Sequence, residues 1–246
     1  MARDNGAEQL DQLRIKIFMD GADLSSMRDA AVNNLAIKGF TTNPTLMRKS
    51  GVMDYASFAK EAIATVGDLP ISFEVFSDTF QEMAREARVI RGWGGNTYVK
   101  IPVTNTRQEP STGLIRMLSG KGIPLNLTAI LTLDQVREVV DSLDVETPSI
   151  VSVFAGRIAD TGVDPIPLMK RAAEIVKMKP KAELLWASSR ESLNIFQADC
   201  VGCDIITVTN DLLAKLPLVG KDLTLYSLDT VKMFHEDARH AGYKIV

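Results

Sequence analysis

Histidine and cysteine are almost missing from this chain, whose 246 residues hold two of each. Both histidines, His235 and His240, fall near the end, and a spacing of five does not bring them to one helical face. A metal-dependent hydrolase or aldolase is normally built around a histidine-centred ligand cluster, and none can be assembled here. No metal is expected, and the two histidines read as surface residues. Cys200 and Cys203 make one C-x-x-C with no second pair, placed after a helix-like segment instead of opening one. That context argues against both a zinc site and a redox pair.

Long apolar runs are absent as well. No stretch approaches the roughly 18 consecutive apolar residues of a membrane span, and residues 1–14 are a polar, mixed-charge extension without the apolar core of a signal peptide. The expectation is a soluble, cytoplasmic protein with no membrane partner. Nor does one sign of charge dominate: 28 Lys+Arg stand against 31 Asp+Glu, without a basic block, so a nucleic-acid partner is unsupported. Any phosphate contact must come from a few placed cations. With 46% apolar and 24% charged residues, the composition is that of an ordinary globular protein able to bury one large core.

What the chain does contain is a regular alternation of short apolar strand-like runs and amphipathic helical stretches. Strands are expected at 15–20, 39–42, 71–76, 97–103, 124–131, 149–154, 183–188 and 204–209. Helices are expected between them, near 24–35, 55–66, 79–91, 112–118, 133–143, 165–177, 191–198 and 211–216. Repeated β-α units imply parallel strands with right-handed crossovers, and eight of them in this length fit an α/β fold of one domain, 1–246, closed as a (β/α)8 TIM barrel. An additional C-terminal helix near 227–241 lies outside the minimal barrel and reads as a cap or a subunit contact, with a homo-oligomer expected. The Gly92-Trp93-Gly94-Gly95 run precedes a strand, so it reads as a helix-to-strand turn and not as a phosphate-cradling loop. The polar loop 104–111 follows a strand and therefore lies on the face where barrel enzymes keep their sites.

One residue breaks the pattern. Lys100 stands inside the apolar run Thr97-Tyr98-Val99-Lys100-Ile101-Pro102-Val103, with nothing near it in sequence to balance its charge. Burial disfavours an ammonium, and a neutral amine is a nucleophile that forms a Schiff base with a ketone or aldehyde. The bland alternative is a lysine at a strand end whose stem packs while its head reaches water. The neighbouring strands decide between the two. Alternate strand residues face opposite sides, and the apolar parity at 71, 73 and 75 leaves Glu74 on the other side; the same test leaves Asp20, Asn126, Thr128, Ser152 and Ser188 pointing with Lys100 into the barrel, with 185 and 187 on the outer parity of the seventh strand. Polar groups gathered there are costly unless paired, and at strand C-termini they are usually catalytic. Two carboxylates beside a lysine supply the proton transfers that imine chemistry needs. Arg157 and Arg190 follow strands six and seven as forked donors suited to a phosphate.

At these residues the chain resembles the transaldolase family of class I aldolase-type barrels. The resemblance is carried, in order, by Phe18-Met19-Asp20-Gly21-Ala22-Asp23, Thr41-Thr42-Asn43-Pro44-Thr45, Phe73-Glu74-Val75, Tyr98-Val99-Lys100-Ile101-Pro102, Asn126-Leu127-Thr128, Ser152-Val153-Phe154-Ala155-Gly156-Arg157 and Ala187-Ser188-Ser189-Arg190. It implies Lys100 as the Schiff-base lysine, Asp20 as acid/base for the carbon–carbon step, and Glu74 with Thr128 positioning the water of imine formation and hydrolysis. It implies Asn43, Asn126 and Ser152 on the hydroxyls of a dihydroxyacetone unit, and Arg157, Ser188 and Arg190 on the phosphate of a sugar phosphate. No cofactor is implied.

The implied activity is transfer of a dihydroxyacetone unit from a ketose phosphate to an aldose phosphate. Three alternatives stand beside it: a fructose-6-phosphate aldolase releasing dihydroxyacetone, a biosynthetic transaldolase-like enzyme with another acceptor, and a non-catalytic sugar-phosphate-binding barrel. Aldolase-type members tend to carry a tyrosine where this chain has Phe154 and a glutamine where it has Glu74, which favours transfer. Gly21 and Ala129-Ile130-Leu131 depart from the family pattern on the acceptor side.

Overall fold

Eight parallel strands hydrogen-bond in chain order and close on themselves: β1 (Lys16–Asp20), β2 (Ile37–Thr41), β3 (Ile71–Glu74), β4 (Thr97–Pro102), β5 (Leu125–Ile130), β6 (Ser149–Val153), β7 (Ala182–Trp186) and β8 (Ile205–Val208), with β8 pairing back to β1. The computed structural model describes residue 10, residues 12–33 and residues 37–245. The described residues within 14–213 form one unit, the barrel, and the described residues outside that range form a second. The strands are buried on both faces, as parallel strands covered by crossover helices must be; all five residues of β6 are buried.

The barrel's helices are α1 (Leu24–Asn33), α2 (Pro44–Lys49), α3 (Tyr55–Val66), α4 (Phe80–Gly92), α5 (Thr112–Ser119), α6 (Leu133–Ser142), α7 (Ala155–Asp160), α8 (Ile166–Val176), α9 (Leu193–Cys200) and α10 (Asn210–Leu213). Local chemistry sets several of their starts. Thr132 and Gln135 form a reciprocal capping box before α6, and Thr79 caps α4 by accepting from the Glu82 amide. The Gly92–Gly95 run is a helix-to-strand turn, in which Gly94 and Gly95 have φ of 95° and 61°. Loop 104–111 joins β4 to α5 and is braced by hydrogen bonds from Thr106 and Arg107 to Asp78.

The structure departs from the sequence pattern in several places. β2 begins at Ile37, two residues before the expected Gly39, because Ile37 is itself buried against β1, whose register shifts there. The short helices α2 and α7 were not expected. The eighth helix stops at Leu213 and a 3-10 turn, Leu216–Leu218, comes after it, since Pro217 has no N–H to continue an α-helix. In the second unit the extra helix, α11 (Leu223–His240), starts at 223 instead of 227 because the Asp222 carboxylate accepts from the Leu225 amide at 2.9 Å. Most of the expected 1–14 extension and the last two residues of the expected 24–35 helix lie outside the described residues. No described helix is long and apolar enough to cross a membrane.

Inside the barrel, Phe18, Ile150, Leu185, Ala187 and Ile205 form a buried apolar plug, with Tyr98 and Phe154 packed against it. Phe18 fits only because its β2 neighbour in register is Gly39: a Cβ there would sit 2.5–2.7 Å from three atoms of the Phe18 ring. The plug holds that ring in place, so the crowding has no cheap release. Gly39→Ala is expected to destabilise the protein by about 1–3 kcal/mol in urea unfolding, and Phe18→Leu in the same chain to recover part of that loss. Additive losses from the two substitutions would show that the ring does not fix the glycine.

Candidate active site

Above the plug, at the C-terminal ends of the strands, lies a cavity of about 390 Å³. Each expected site residue lines it: Asp20, Asn43, Glu74, Lys100, Asn126, Thr128, Ser152, Phe154, Arg157, Ser188 and Arg190. Strand register brings the central three to one level, since Glu74 on β3 pairs with Lys100 on β4, and Lys100 with Asn126 on β5. Lys100 is 7% exposed. Its Nζ donates to the Thr42 carbonyl at 2.9 Å and lies 3.5 Å from Glu74 Oε2, so the buried cation is paired as buried charges must be.

Asp20 ends β1 opposite Thr41 of β2, whose Oγ1 donates to Asp20 Oδ1 at 2.7 Å; Asn43 Nδ2 lies 3.5 Å from the other oxygen. Burial pushes the Asp20 carboxyl above the usual carboxylate range; Lys100 and the Thr41 hydrogen bond work against that rise, and the Glu74 charge adds to it. Such a carboxyl can both hold and release a proton near a reacting centre. Asn43 also caps α2, with Oδ1 accepting from the Leu46 amide at 3.0 Å and Pro44 at the first helical position. A helix cap thus fixes the side chain that faces Asp20.

Beside the lysine, a buried chain of hydrogen bonds crosses the strands. Ser152 Oγ donates to Asn126 Oδ1 at 2.7 Å, and Asn126 Nδ2 donates to Ser72 Oγ at 3.0 Å. This orients the amide and leaves one of its N–H donors for a ligand. Thr128 faces the cavity two residues after Asn126, as strand alternation directs, and just past it β5 is bulged against β6 between Leu127 and Ile130, with Ala129 at φ of 61°.

The far side of the cavity is built from β6, β7 and the segments that leave their C-terminal ends. Phe154 precedes α7, and the Arg157 guanidinium carbon lies 5.6 Å from its ring centroid. Gly156 is required here: a Cβ would fall 1.6 Å from the Ser188 carbonyl oxygen, a backbone atom that cannot move aside cheaply. Ser188 has φ of 61°. This corrects the expected parity of β7: Leu185 of that strand and Ala187 just beyond its end face the cavity, Trp186 is buried on the opposite side, and Ser188 reaches the cavity because the chain turns left-handed at that position. Arg190 is tied to Asp160, the last residue of α7: Nε donates to Oδ1 at 3.0 Å and Nη2 donates to Oδ2. The guanidinium holds the Asp160 carboxyl below its ordinary pKa.

Thr41, Ser72 and Asp160 were missed by the sequence reading. The first two lie on the inward parity of β2 and β3 and were legible in principle. Asp160 sits on a helix that the sequence pattern does not announce. The remaining motifs stay outside the site: His235 and His240 are exposed on α11, Cys200 is exposed, and Cys203 is buried, which raises its thiol pKa.

Fold and cavity together define a (β/α)8 barrel with a lysine-and-carboxylate site at its C-terminal mouth. The sequence pattern of the Transaldolase/Fructose-6-phosphate aldolase family matches residues 17–245. A "Probable transaldolase" of Streptococcus equi subsp. zooepidemicus (strain MGCS10565) is 33% identical over 220 residues, covering 87% of this chain and 97% of that protein; the "Probable transaldolase" of Streptococcus pyogenes serotype M1 matches to the same extent. Among solved structures, dihydrodipicolinate synthase from Rhodopseudomonas palustris superposes with a TM-score of 0.56 over 91% of this chain and 79% of that one, at 14% identity, a likeness of fold. The chain belongs to the transaldolase/fructose-6-phosphate aldolase family.

The Asp20 environment has a measurable signature. Its native pKa lies above that of the unfolded chain, so between the two values the native state binds more protons, and stability falls as pH rises through that interval. Asp20→Asn removes the buried charge. In urea titrations it is expected to raise stability near pH 7 by on the order of 1 kcal/mol, with a smaller gain near pH 4. A gain that does not shrink on acidification would show that desolvation of the carboxylate is not the cause.

Proposed function

We propose that this protein is a transaldolase that moves a three-carbon dihydroxyacetone unit from a ketose phosphate to an aldose phosphate through a Schiff base on Lys100. The observation that carries the reading is the setting of that amine: buried, 3.5 Å from the Glu74 carboxylate, and in one cavity with Asp20. Lys100 Nζ attacks the ketose carbonyl, the carbonyl oxygen leaves as water, and an iminium forms. Asp20 accepts the proton of the C4 hydroxyl while the C3–C4 electron pair moves into the iminium, giving an aldose phosphate and an enamine. The enamine then adds to the aldehyde carbon of a second aldose phosphate, Asp20 returns its proton to the new alkoxide, and water cleaves the imine. Glu74 and Thr128 hold that water; Asn43, Asn126 and Ser152 take the hydroxyls of the three-carbon unit; Arg157, Ser188 and Arg190 take the phosphate.

Trapping tests the lysine. Borohydride added with fructose 6-phosphate is expected to fix a three-carbon adduct on the peptide containing Lys100, read by mass spectrometry, and Lys100→Met to abolish it. An adduct elsewhere, or none, removes the imine mechanism.

The second reading, an aldolase releasing free dihydroxyacetone, needs a proton delivered to the enamine carbon, and Phe154 offers none to the cavity it lines. Fructose 6-phosphate alone is expected to yield little dihydroxyacetone, an added aldose phosphate to raise turnover at least about 10-fold, and Phe154→Tyr to shift the balance toward release. Rapid release by the unmodified protein, unaffected by any aldose phosphate, would favour the aldolase reading.

A further inference from the structure

The two arginines at the mouth of the cavity are held in different ways. Arg157 has its guanidinium against the Phe154 ring and, among the described residues, no ion pair. Arg190 is fixed from end to end. Its backbone N–H donates to Asn194 Oδ1 at 2.8 Å, the preceding Ser189 Oγ donates to the Thr207 carbonyl at 2.6 Å, and Ser188 lies with its carbonyl against Gly156. At the far end of the side chain, Asp160 accepts from both Nε and Nη2. Asp160 itself stands three residues after Arg157 on α7, on the same side of that helix. One short helix therefore supplies one cation directly and the carboxylate that orients the other.

A guanidinium has five N–H donors in a rigid plane. Asp160 uses the edge formed by Nε and Nη2, which leaves the second N–H of Nη2 and one N–H of Nη1 side by side on the outer end, a fork matched to two oxygens of a phosphate. The carboxylate also adds a negative charge near the anion to be bound. These two effects oppose each other. Asp160 and a phosphate on the outer fork would be separated by the width of the guanidinium in a half-exposed, water-screened rim, where like-charge repulsion is weak. Direct charge-assisted hydrogen bonds to a pre-set fork are the stronger effect.

We infer that Asp160 is a positioning residue for phosphate recognition, presenting the outer fork of Arg190 to the phosphate of a sugar-phosphate substrate. The inference rests on the proposed reading of the arginine rim as the phosphate end of the cavity. It makes the two arginines unequal: Arg190 arrives pre-oriented, whereas Arg157 adapts to the substrate.

Titration calorimetry with inorganic phosphate tests this on the full chain, with fructose 6-phosphate kinetics alongside. Asp160→Ala is expected to weaken phosphate binding about 3- to 10-fold and to raise KM for fructose 6-phosphate by a similar factor, with kcat unchanged and with no change for unphosphorylated fructose or dihydroxyacetone as donor. Asp160→Asn, which keeps an oxygen acceptor for Arg190, is expected to lose less. Combined with Arg190→Ala, Asp160→Ala is expected to add nothing to the loss from Arg190→Ala alone, since it acts through that side chain. Unchanged or tighter phosphate binding in Asp160→Ala, while Arg190→Ala weakens it, would overturn the positioning role and leave the phosphate rim intact. Phosphate binding unaffected by both Arg157→Ala and Arg190→Ala would overturn the rim itself, and the inference with it. Equal losses on phosphorylated and unphosphorylated donors would mark Asp160 as a structural residue and also overturn it.

Discussion

The pairing of Lys100 with Glu74 inside the barrel is the constraint around which the rest of the site is arranged. A lone ammonium at this depth would cost several kcal/mol, and a lone carboxylate as much, so neither residue can be placed without the other. The β3–β4 register meets that demand by making them neighbours on adjacent strands. Asp20 is a second carboxylate in the same cavity. Its burial is the main reason that it holds its proton more tightly than an exposed aspartate; Lys100 and the Thr41 hydrogen bond work against that, and the Glu74 charge adds a smaller push in the same direction as burial. Its raised pKa is thus chiefly a consequence of depth in the barrel, and Thr41 and Asn43 keep the carboxyl in one orientation.

Backbone irregularity gathers at the same rim. Ala129 and Ser188, two of the three described non-glycine residues with positive φ, both line the cavity. Each lies just past the regular part of a strand and turns a side chain that plain alternation would have directed elsewhere. The contact between Gly156 and the Ser188 carbonyl ties two of these segments together, so the β6 and β7 sides of the mouth form one continuous wall.

Much of this could be read from the sequence, and the residues show why. The barrel was legible because eight short apolar strand-like runs were each followed by a helical stretch. Lys100, Glu74, Asp20, Asn126 and Ser152 were legible because they are polar residues on the inward parity of those runs. What escaped the pattern depends on distant partners or local breaks. The inward parity of β7 was misread because Ser188 leaves the strand through a left-handed turn, which nothing in Leu185-Trp186-Ala187-Ser188 announces. Asp160 escaped because its meaning lies in a contact with Arg190, thirty residues away on the next β-α unit. The helix α2 carried its own signal, an asparagine cap followed by proline, and that signal was readable.

The apolar plug of Phe18, Ile150, Leu185, Ala187 and Ile205 has a kinetic meaning as well as a structural one. It makes the barrel a cup with a floor, so anything that reaches Lys100 enters by the strand C-termini and leaves the same way. In a group-transfer reaction the departing aldose and the arriving one must then use the same doorway in turn. Under the proposed reaction the first would have to vacate before the second could be seated, with the three-carbon fragment held at Lys100 through that interval. The order of exchange would then follow from the filled interior of the barrel, whose Leu185 and Ala187 also line the cavity.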